Sequence, residues 1–315
     1  MARPGSIRSF RVAGRLTNAF TLELVKIGGH RRDVIDALIR AALLNANVAH
    51  ISRDPDLQRR FAAFETDIPD EMRRPASIHA IAESLRIPYE TARRRIGRMA
   101  EQGACLIGEN GVIVRSAVTS SPMFRQGCQL QYEQLRDLYF RLRTAGVLEP
   151  PETEHAPFEG PSPPLRLVGR LVVEYVLRFT EPVRRHIGDV ITGLVLMDMI
   201  QANTAHLPDT EAGTEVELAG GFVPDARRTL VSASALAMRL GVPGETVRRH
   251  VIELLERDLC RKQPRGYVVP AEVLARPLFV QFVGDNYANL TRLFAGLGEY
   301  GVVATWEREL RERAA

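Results

Sequence analysis

The chain has 315 residues, of which 45% are apolar and 25% are charged. This composition is typical of a globular protein and disfavours a largely disordered chain. The length allows two ordinary domains. A formal net charge of +4 and a pI near 9.2 are compatible with a nucleic-acid partner but do not require one.

Cysteine content and hydropathy exclude several classes of protein. Three cysteines without metal-ligand spacing argue against a disulfide scaffold and against a zinc site. The best candidate for a membrane span, Ile187 to Ile200, is shorter than the roughly 18 residues required and contains Asp189 and Asp198. The first ten residues lack the apolar core of a signal peptide. We therefore expect a cytoplasmic protein without a membrane partner.

The first half of the chain predicts a mainly helical domain. After an N-terminal segment, residues 1–30, apolar periodicity predicts a helix over Asp33 to His50. Ser77 is placed to cap a short helix that ends at Leu85. The residues that follow it, 86–88, form a turn that ends in a proline.

A second helix and a β-hairpin follow this turn. The helix runs from about Tyr89 to Gln102 and ends at Gly103, a residue suited to the left-handed conformation. Two short apolar runs around a glycine turn, residues 105–107 and 112–114, predict the hairpin. A last helix over residues 129–145 completes the domain.

The second half of the chain repeats this order. Ser77 to Gly111 aligns without a gap with Ser232 to Gly266, at an offset of 155 residues, and twelve of the 35 positions are identical. The helix over Asp33 to His50 has its copy at Asp189 to His206, and the last helix has its copy at 284–297. Because an internal repeat decides architecture, two domains of the same kind are expected.

A proline-rich stretch separates the two halves. Residues 149–164 contain six prolines, which exclude helix interiors and central strands and favour an extended linker. The predicted division is a segment over 1–30, a first domain over 31–148, a linker over 149–166 and a second domain over 167–315.

The order of helix, tight turn, helix and hairpin resembles the winged helix-turn-helix of bacterial repressors, especially those of the GntR and MarR types. The resemblance is carried most strongly by the second repeat, from Ala235 to Val269, and less by Ala80 to Val114. It implies a mainly α fold with small β-hairpin wings. Two tandem winged helices would form a pseudo-dimer within the chain, and the flanking helices would build the interface.

In such a fold the second helix of each repeat enters the major groove. The residues expected to contact DNA are Tyr89, Thr91, Arg93, Arg94, Arg95 and Arg98 in the first repeat, and Thr246, Arg248, Arg249, His250, Arg261, Lys262 and Arg265 in the second. Because Tyr89 aligns with Gly244 and Arg95 with His250, the repeats are expected to prefer different bases. The operator would be an imperfect palindrome with half-sites about one turn, roughly 34 Å, apart.

The charge pattern also differs between the repeats. The second helix of the first repeat is strongly basic and its wing turn, residues 108–111, is acidic. In the second repeat the helix is near neutral and the wing, residues 261–266, is basic. We therefore expect the first repeat to bind phosphates mainly through its helix and the second to gain from its wing.

The sequence contains no nucleophile–base pair, phosphate loop or metal-ligand set, so neither an enzyme nor a cofactor is expected. The predicted function is that of a sequence-specific transcriptional regulator, associated with the nucleoid. A plasmid-type replication initiator or DNA-organising protein is one alternative. A protein-interaction scaffold that has lost DNA binding is another. Double-stranded DNA is the expected partner, a small-molecule effector is allowed for, and the protein is expected to be a pseudo-symmetric monomer or a homodimer.

Some repeated residues have two interpretations. Asn47 and His50, with their copies Asn203 and His206, either cap and pack the end of a helix or line a ligand pocket or pH-sensitive seam. Cys105 and Cys260 occupy equivalent positions and are expected to be small buried residues rather than redox sensors, and Cys128 is unmatched and incidental. Tyr132 and Tyr287 are expected to be packing residues rather than ligand contacts.

Overall fold

The computed structural model describes residues 7–28, 33–149, 156–160, 162–207 and 222–314. Within them the chain is mainly helical, with two small antiparallel hairpins, as the sequence predicted. The first repeat and its flanks hold α1 Ile7–Gly28, α2 Val34–Ser52, α3 Pro55–Arg60, α4 Ile78–Leu85, α5 Tyr89–Glu101, β1 Leu106–Gly108, β2 Gly111–Ile113, α6 Ser116–Thr119 and α7 Pro122–Thr144. The second holds α8 Leu165–His186, α9 Val190–Thr204, α10 Ala233–Leu240, α11 Gly244–Glu256, β3 Arg261–Gln263, β4 Gly266–Val268, α12 Ala271–Leu274, α13 Pro277–Glu299 and α14 Val302–Ala314.

The chain divides into two compact units that are discontinuous in sequence. The first-repeat unit comprises Asp36–Arg136, Pro151–Arg178 and Asn289–Ala315. The second-repeat unit comprises Met1–Ile35, Asp137–Pro150 and Phe179–Ala288. These bounds differ from the contiguous domains expected over 31–148 and 167–315, because each unit contains a helix from the other repeat.

The duplication reaches further upstream than the sequence analysis recognised. Helix α1 carries the sequence RVAGRL at residues 11–16, and α8 carries RLVGRL at residues 166–171, again at an offset of 155. Helix α1 belongs to the second-repeat unit, and the first part of α8 belongs to the first-repeat unit. Residues 1–30 are therefore not a simple N-terminal extension, since α1 is the counterpart of α8.

Helix starts follow the local capping signals. The side-chain oxygens of Ser77 and Ser232 accept hydrogen bonds from the backbone N–H groups of Ala80 and Ala235, both at 3.1 Å. Helix α7 begins seven residues before the predicted start, because Ser121 caps it and Pro122 occupies its first position.

Each repeat closes its helix-turn-helix with a residue in the left-handed conformation. Arg86 has φ 53° at the end of α4, and Gly241 has φ 65° at the end of α10. Gly103, predicted to terminate the second helix, has φ 73°, and its counterpart Asp258 has φ 51°. The boundaries predicted for the second helix of the first repeat, from about Tyr89 to Gln102, are confirmed to within one residue.

Helix α2 is the one described helix that is long and apolar enough to cross a membrane by length and composition. Its side chains Ile39, Leu43 and Ile51 are fully buried within the first-repeat unit. Val48 and Ile51 pack with Phe61 in a core cluster. We therefore interpret α2 as a core helix.

Helix α14, which the sequence analysis did not predict, supplies the largest buried side chain of the first-repeat unit. The indole Nε1 of Trp306 donates a 2.7 Å hydrogen bond to the hydroxyl of Tyr132, with the rings edge to face. The backbone N–H of Phe158 donates to the carbonyl of Gly301 and to Thr305 Oγ1. Part of the predicted linker therefore packs against this unit, and residues 150–155 and 161 lie outside the described residues.

Candidate nucleic-acid interface

The second helix of the first repeat, α5, presents an exposed basic surface. Its apolar positions Ala92, Ile96 and Met99 are buried, which leaves Arg93, Arg94 and Arg98 exposed on the other side. Arg93 forms an ion pair with Glu90 at 2.6 Å. Within the described part of the chain Arg94 and Arg98 form no ion pair, and their charges face solvent.

The first turn of α5 holds the other two predicted contact residues. The ring of Tyr89 is 49% exposed and lies at 6.3 Å from the ring of His79. Thr91 is half-buried. Both residues therefore stand at the N-terminal end of the helix, with Tyr89 the more accessible.

The second helix of the second repeat, α11, carries the same arginine pair. Arg248 and Arg249 are exposed, while Val247, Val251 and Leu254 are buried. Arg248 forms an ion pair with Glu245, as Arg93 does with Glu90. Thr246 is half-buried like its counterpart Thr91. The pattern of one paired and one more available arginine is thus common to both repeats.

The expectation that Arg95 and His250 read bases is wrong. Arg95 is 7% exposed and its guanidinium forms an ion pair with Asp36 on α2. His250 is 5% exposed and faces Thr192 on α9. Both positions lie on the apolar stripe of their helix, three residues after a buried alanine or valine, and therefore point inward.

His250 belongs to a polar cluster that replaces the Arg95–Asp36 pair. The hydroxyl of Thr192, the counterpart of Asp36, lies 2.5 Å from Asp189 Oδ2, 2.8 Å from His250 Nδ1 and 3.0 Å from Glu253 Oε2. A hydroxyl has one proton, and Thr192 donates it to Asp189. The hydrogen bond between His250 Nδ1 and Thr192 is therefore donated by the N–H of His250.

Burial by itself raises the pKa of Asp189, but hydrogen bonds from His250 and Thr192 outweigh that effect and hold the pKa well below its usual range. Asp189, His250 and Glu253 are also the described residues that bring three potential metal ligands together, within 4.8 Å. The Thr192 hydroxyl is hydrogen-bonded among them, which accounts for the cluster without an ion.

The two hairpins differ in chemistry as predicted. Strand β1 exposes Leu106 and Ile107, at 47% and 44%, next to the acidic turn. Strand β3 exposes Arg261 and Lys262 at the aligned positions, and Arg265 follows in the turn. Arg261 forms an ion pair with Glu272, while Lys262 and Arg265 form none with any described residue.

A buried asparagine on the supporting helix of each repeat, α2 or α9, holds the hairpin of that repeat. Asn47 is fully buried. Its amide donates to the carbonyls of Arg74 and Val112, at 2.8 and 3.0 Å, and its oxygen accepts from the N–H of Val114 at 2.8 Å. Asn203 repeats all three bonds, with Thr229, Tyr267 and Val269. Both asparagines are structural clamps, which decides between the two interpretations of these residues.

The accompanying histidines do not share a role. His50 is half-buried and His206 is exposed. Burial lowers the pKa of His50, followed by the nearby charge of Arg74. The repeated histidines therefore form no matched pH-sensitive pair.

All three cysteines are buried, which confirms the expectation for Cys105 and Cys260. Burial raises the pKa of the Cys105 thiol, and it raises the pKa of Cys128 and of Cys260 to about 12. These thiols are un-ionised at neutral pH and unsuited to redox sensing. Tyr132 is a packing residue, whereas Tyr287 is 36% exposed and donates to the carbonyl of Val147.

Sequence reasoning missed the partner of Arg95. Asp36 lies 59 residues earlier, so no local pattern connects the two. The apolar spacing of residues 92, 96 and 99 was nevertheless visible, and it placed position 95 on the buried stripe. Comparison with models of protein families, with curated proteins and with solved structures gives no match for this chain.

Proposed function

We propose that the chain is a sequence-specific DNA-binding transcriptional regulator of the bacterial cytoplasm, with each helix-turn-helix and hairpin acting as a winged helix. One observation carries the proposal. Both copies expose an arginine pair, Arg93 with Arg94 and Arg248 with Arg249, on the helix that a winged helix places in the major groove. The pairs are identical in two repeats that differ at 23 of the 35 aligned positions.

The proposed contacts fall into two kinds. Arg94, Arg98, Arg249, Lys262 and Arg265 would neutralise phosphates, because their charges are exposed and form no ion pair with described residues. The exposed ring of Tyr89, for which the second repeat has Gly244, would distinguish the half-sites. Because Arg95 and His250 are buried, they do not contribute to this difference. The Tyr89/Gly244 difference and the unlike wings are therefore the basis for an imperfect palindrome.

Selection of bound duplexes from a random pool tests the proposal. The wild-type protein should enrich a defined sequence. The Arg94→Ala and Arg249→Ala double variant should bind that sequence at least about tenfold more weakly at constant salt. Arg308→Ala is the control, because Arg308 is also exposed but lies on α14, where it forms a long ion pair with Glu312. Failure to enrich any sequence, or equal affinity of both variants, would overturn the proposal.

A replication initiator would use the same contacts at a different location. Footprints over iterated repeats at an origin would favour initiation, whereas footprints over promoters would favour regulation. Genome-wide occupancy of the native protein, compared with the double variant, separates these two.

One observation favours protein interaction as a second candidate function. Leu106 and Ile107 leave an apolar surface on the first hairpin, where a DNA-binding wing would carry cations. Leu106→Ser with Ile107→Ser should leave DNA affinity unchanged if this hairpin contacts a protein. A loss of affinity would assign it to DNA instead.

A further inference from the structure

A half-buried carboxylate organises one corner of the first-repeat unit. Asp67 Oδ1 accepts from Arg73 at 3.1 Å and forms an ion pair with Arg166 at 3.0 Å. Asp67 Oδ2 accepts from the hydroxyls of Thr119 and Ser120, both at 2.7 Å. This one carboxylate therefore contacts two buried guanidinium groups and two hydroxyls, although Arg166 Nη2 has no hydrogen-bond partner among the described residues.

The second-repeat unit keeps both arginines and loses the carboxylate. At the offset of 155 residues, an aromatic ring replaces the aspartate and aliphatic side chains replace both hydroxyls. The aligned pairs are Asp67 with Phe222, Arg73 with Arg228, Arg166 with Arg11, Thr119 with Leu274, and Ser120 with Ala275. The three changes are consistent with one another, because the carboxylate and both hydroxyls that donate to it have become apolar.

A cavity of about 130 Å³ lies at this corner of the second-repeat unit. Arg11, Arg228, Phe222 and Leu274 all line it, and most of the remaining wall is apolar, with Leu196 and Phe282 among the lining residues. Three arginines and no acidic residue appear among the described residues of its lining. The cavity thus combines an apolar interior with positive charge.

Arg228, one of these arginines, has an incompletely hydrogen-bonded guanidinium. It is 8% exposed, and its Nη1 is buried without a hydrogen-bond partner in the described part of the chain. Its Nε donates to the carbonyl of Val223 and lies 3.4 Å from Asp225. Burial lowers the pKa of Arg228, with only Asp225 opposing that effect, whereas Arg73 has two such carboxylates. A buried guanidinium with an unsatisfied N–H favours an anionic ligand.

We propose that the second-repeat unit binds a small carboxylic acid with a single aromatic ring. Its carboxylate takes the place that Asp67 holds in the first-repeat unit, against Arg228 and Arg11. Its ring fills the apolar part of the cavity, whose volume suits about one ring. The charge-assisted bond to Arg228 selects the acid over neutral aromatic compounds of the same shape.

Calorimetric titration of the full chain with benzoate, in the absence of DNA, tests this site. Benzoate should bind with a Kd of about 0.1–1 mM, as expected for so few atoms. Benzamide, its neutral isostere, should bind at least about tenfold more weakly. Arg228→Met should weaken benzoate binding to the level of benzamide. No heat of binding with benzoate, or equal affinity for benzamide, would overturn the proposal.

A second variant keeps the test decisive if Arg228→Met fails to fold. Phe222→Asp installs the carboxylate that the first-repeat unit already contains, so it should abolish benzoate binding and raise the Tm. Phe222→Leu is the matched control, because it leaves the wall apolar and should retain affinity within a few fold. Benzoate binding to Phe222→Asp with wild-type affinity would refute the site. Because no DNA is present, this result is independent of the proposed DNA-binding function.

Discussion

Arg95 on α5 forms an ion pair with Asp36 on α2, and the two side chains are mostly buried within the first-repeat unit. The aligned positions of the second repeat hold His250 and Thr192, which meet at 2.8 Å. The contact between α5 and α2 in the first repeat is therefore an ion pair. The equivalent contact between α11 and α9 in the second repeat is a histidine–hydroxyl pair. This contact fixes the orientation of the proposed recognition helix without facing DNA.

Removal of Arg95 should destabilise the protein more than removal of its exposed neighbour. Arg95→Ala leaves Asp36 partly buried without its cation, and we expect the free energy of unfolding to fall by about 2–4 kcal/mol. Arg94→Ala should change it by less than about 0.5 kcal/mol. Urea unfolding at neutral pH measures both. Similar losses for the two variants would contradict the inward placement of Arg95.

Transplanting the second repeat's contact into the first should restore stability. Asp36→Thr with Arg95→His recreates the Thr192–His250 pair, and Asp33 already stands where Asp189 does. The double variant should recover at least half of the loss seen in Arg95→Ala. Recovery would appear as a coupling energy of about 1 kcal/mol or more in a double-mutant cycle. Additive losses would show that the two contacts are not interchangeable.

Asp189 should contribute to an acid-sensitive part of stability. Its pKa is lower in the folded chain than in the unfolded chain, so its contribution is present above the unfolded value near 4 and is lost as the pH falls toward the folded value. Asp189→Asn keeps a good N-cap but removes the charge. We expect it to cost about 1–2 kcal/mol at pH 7 and progressively less as the pH falls from 4 toward 2. Urea midpoints of both proteins across this pH range would measure the convergence, and a constant difference would contradict it.

Asn47 should hold the first hairpin on α2. Asn47→Ala removes three buried hydrogen bonds, and we expect a loss of about 2–3 kcal/mol. Hydrogen exchange of the Val114 amide, which donates to Asn47 Oδ1, should accelerate in step. Asn45→Ala on the same helix is the control and should affect neither quantity. Unchanged exchange at Val114 would mean that the hairpin is held by other contacts.

Gly266 should tolerate no side chain. Its φ is 151°, and a Cβ there would lie 2.6 Å from the carbonyl oxygen of Val231. Gly266→Ala should therefore cost about 2–4 kcal/mol. Gly97→Ala, inside α5 where no atom lies within 4 Å of the added Cβ, should instead stabilise by about 0.5–1 kcal/mol. Thermal unfolding of the two variants should show opposite shifts, and a neutral Gly266→Ala would contradict the close approach.

Phosphate contacts should appear in the salt dependence of DNA binding. Arg94→Ala and Arg249→Ala should each reduce the slope of log K against log salt by about 0.9. Arg308→Ala should leave the slope unchanged. Affinities measured at four or five salt concentrations are sufficient. An unchanged slope in both variants would exclude these arginines from the phosphate contacts.

The sequence by itself determined the duplication, the helix-turn-helix boundaries, the hairpins and the burial of the cysteines. These features depend on local signals: the caps Ser77 and Ser232, the prolines before the second helices, and the apolar spacing along them. Both α7 and its copy α13 begin seven residues earlier than predicted, because the prolines at their first positions, Pro122 and Pro277, were overlooked as start signals.

The tertiary structure decided everything that depends on distant partners. Arg95 is buried because Asp36 forms an ion pair with it. Arg228 lacks the second carboxylate that Arg73 has, because Phe222 occupies the position aligned with Asp67. Likewise, α1 joins the second-repeat unit and α8 contributes to the first-repeat unit, although both begin their own repeats. A charged residue on a helix is expected to be exposed unless an opposite charge from a distant part of the chain pairs with it in the interior. No local sequence pattern encodes such a pairing.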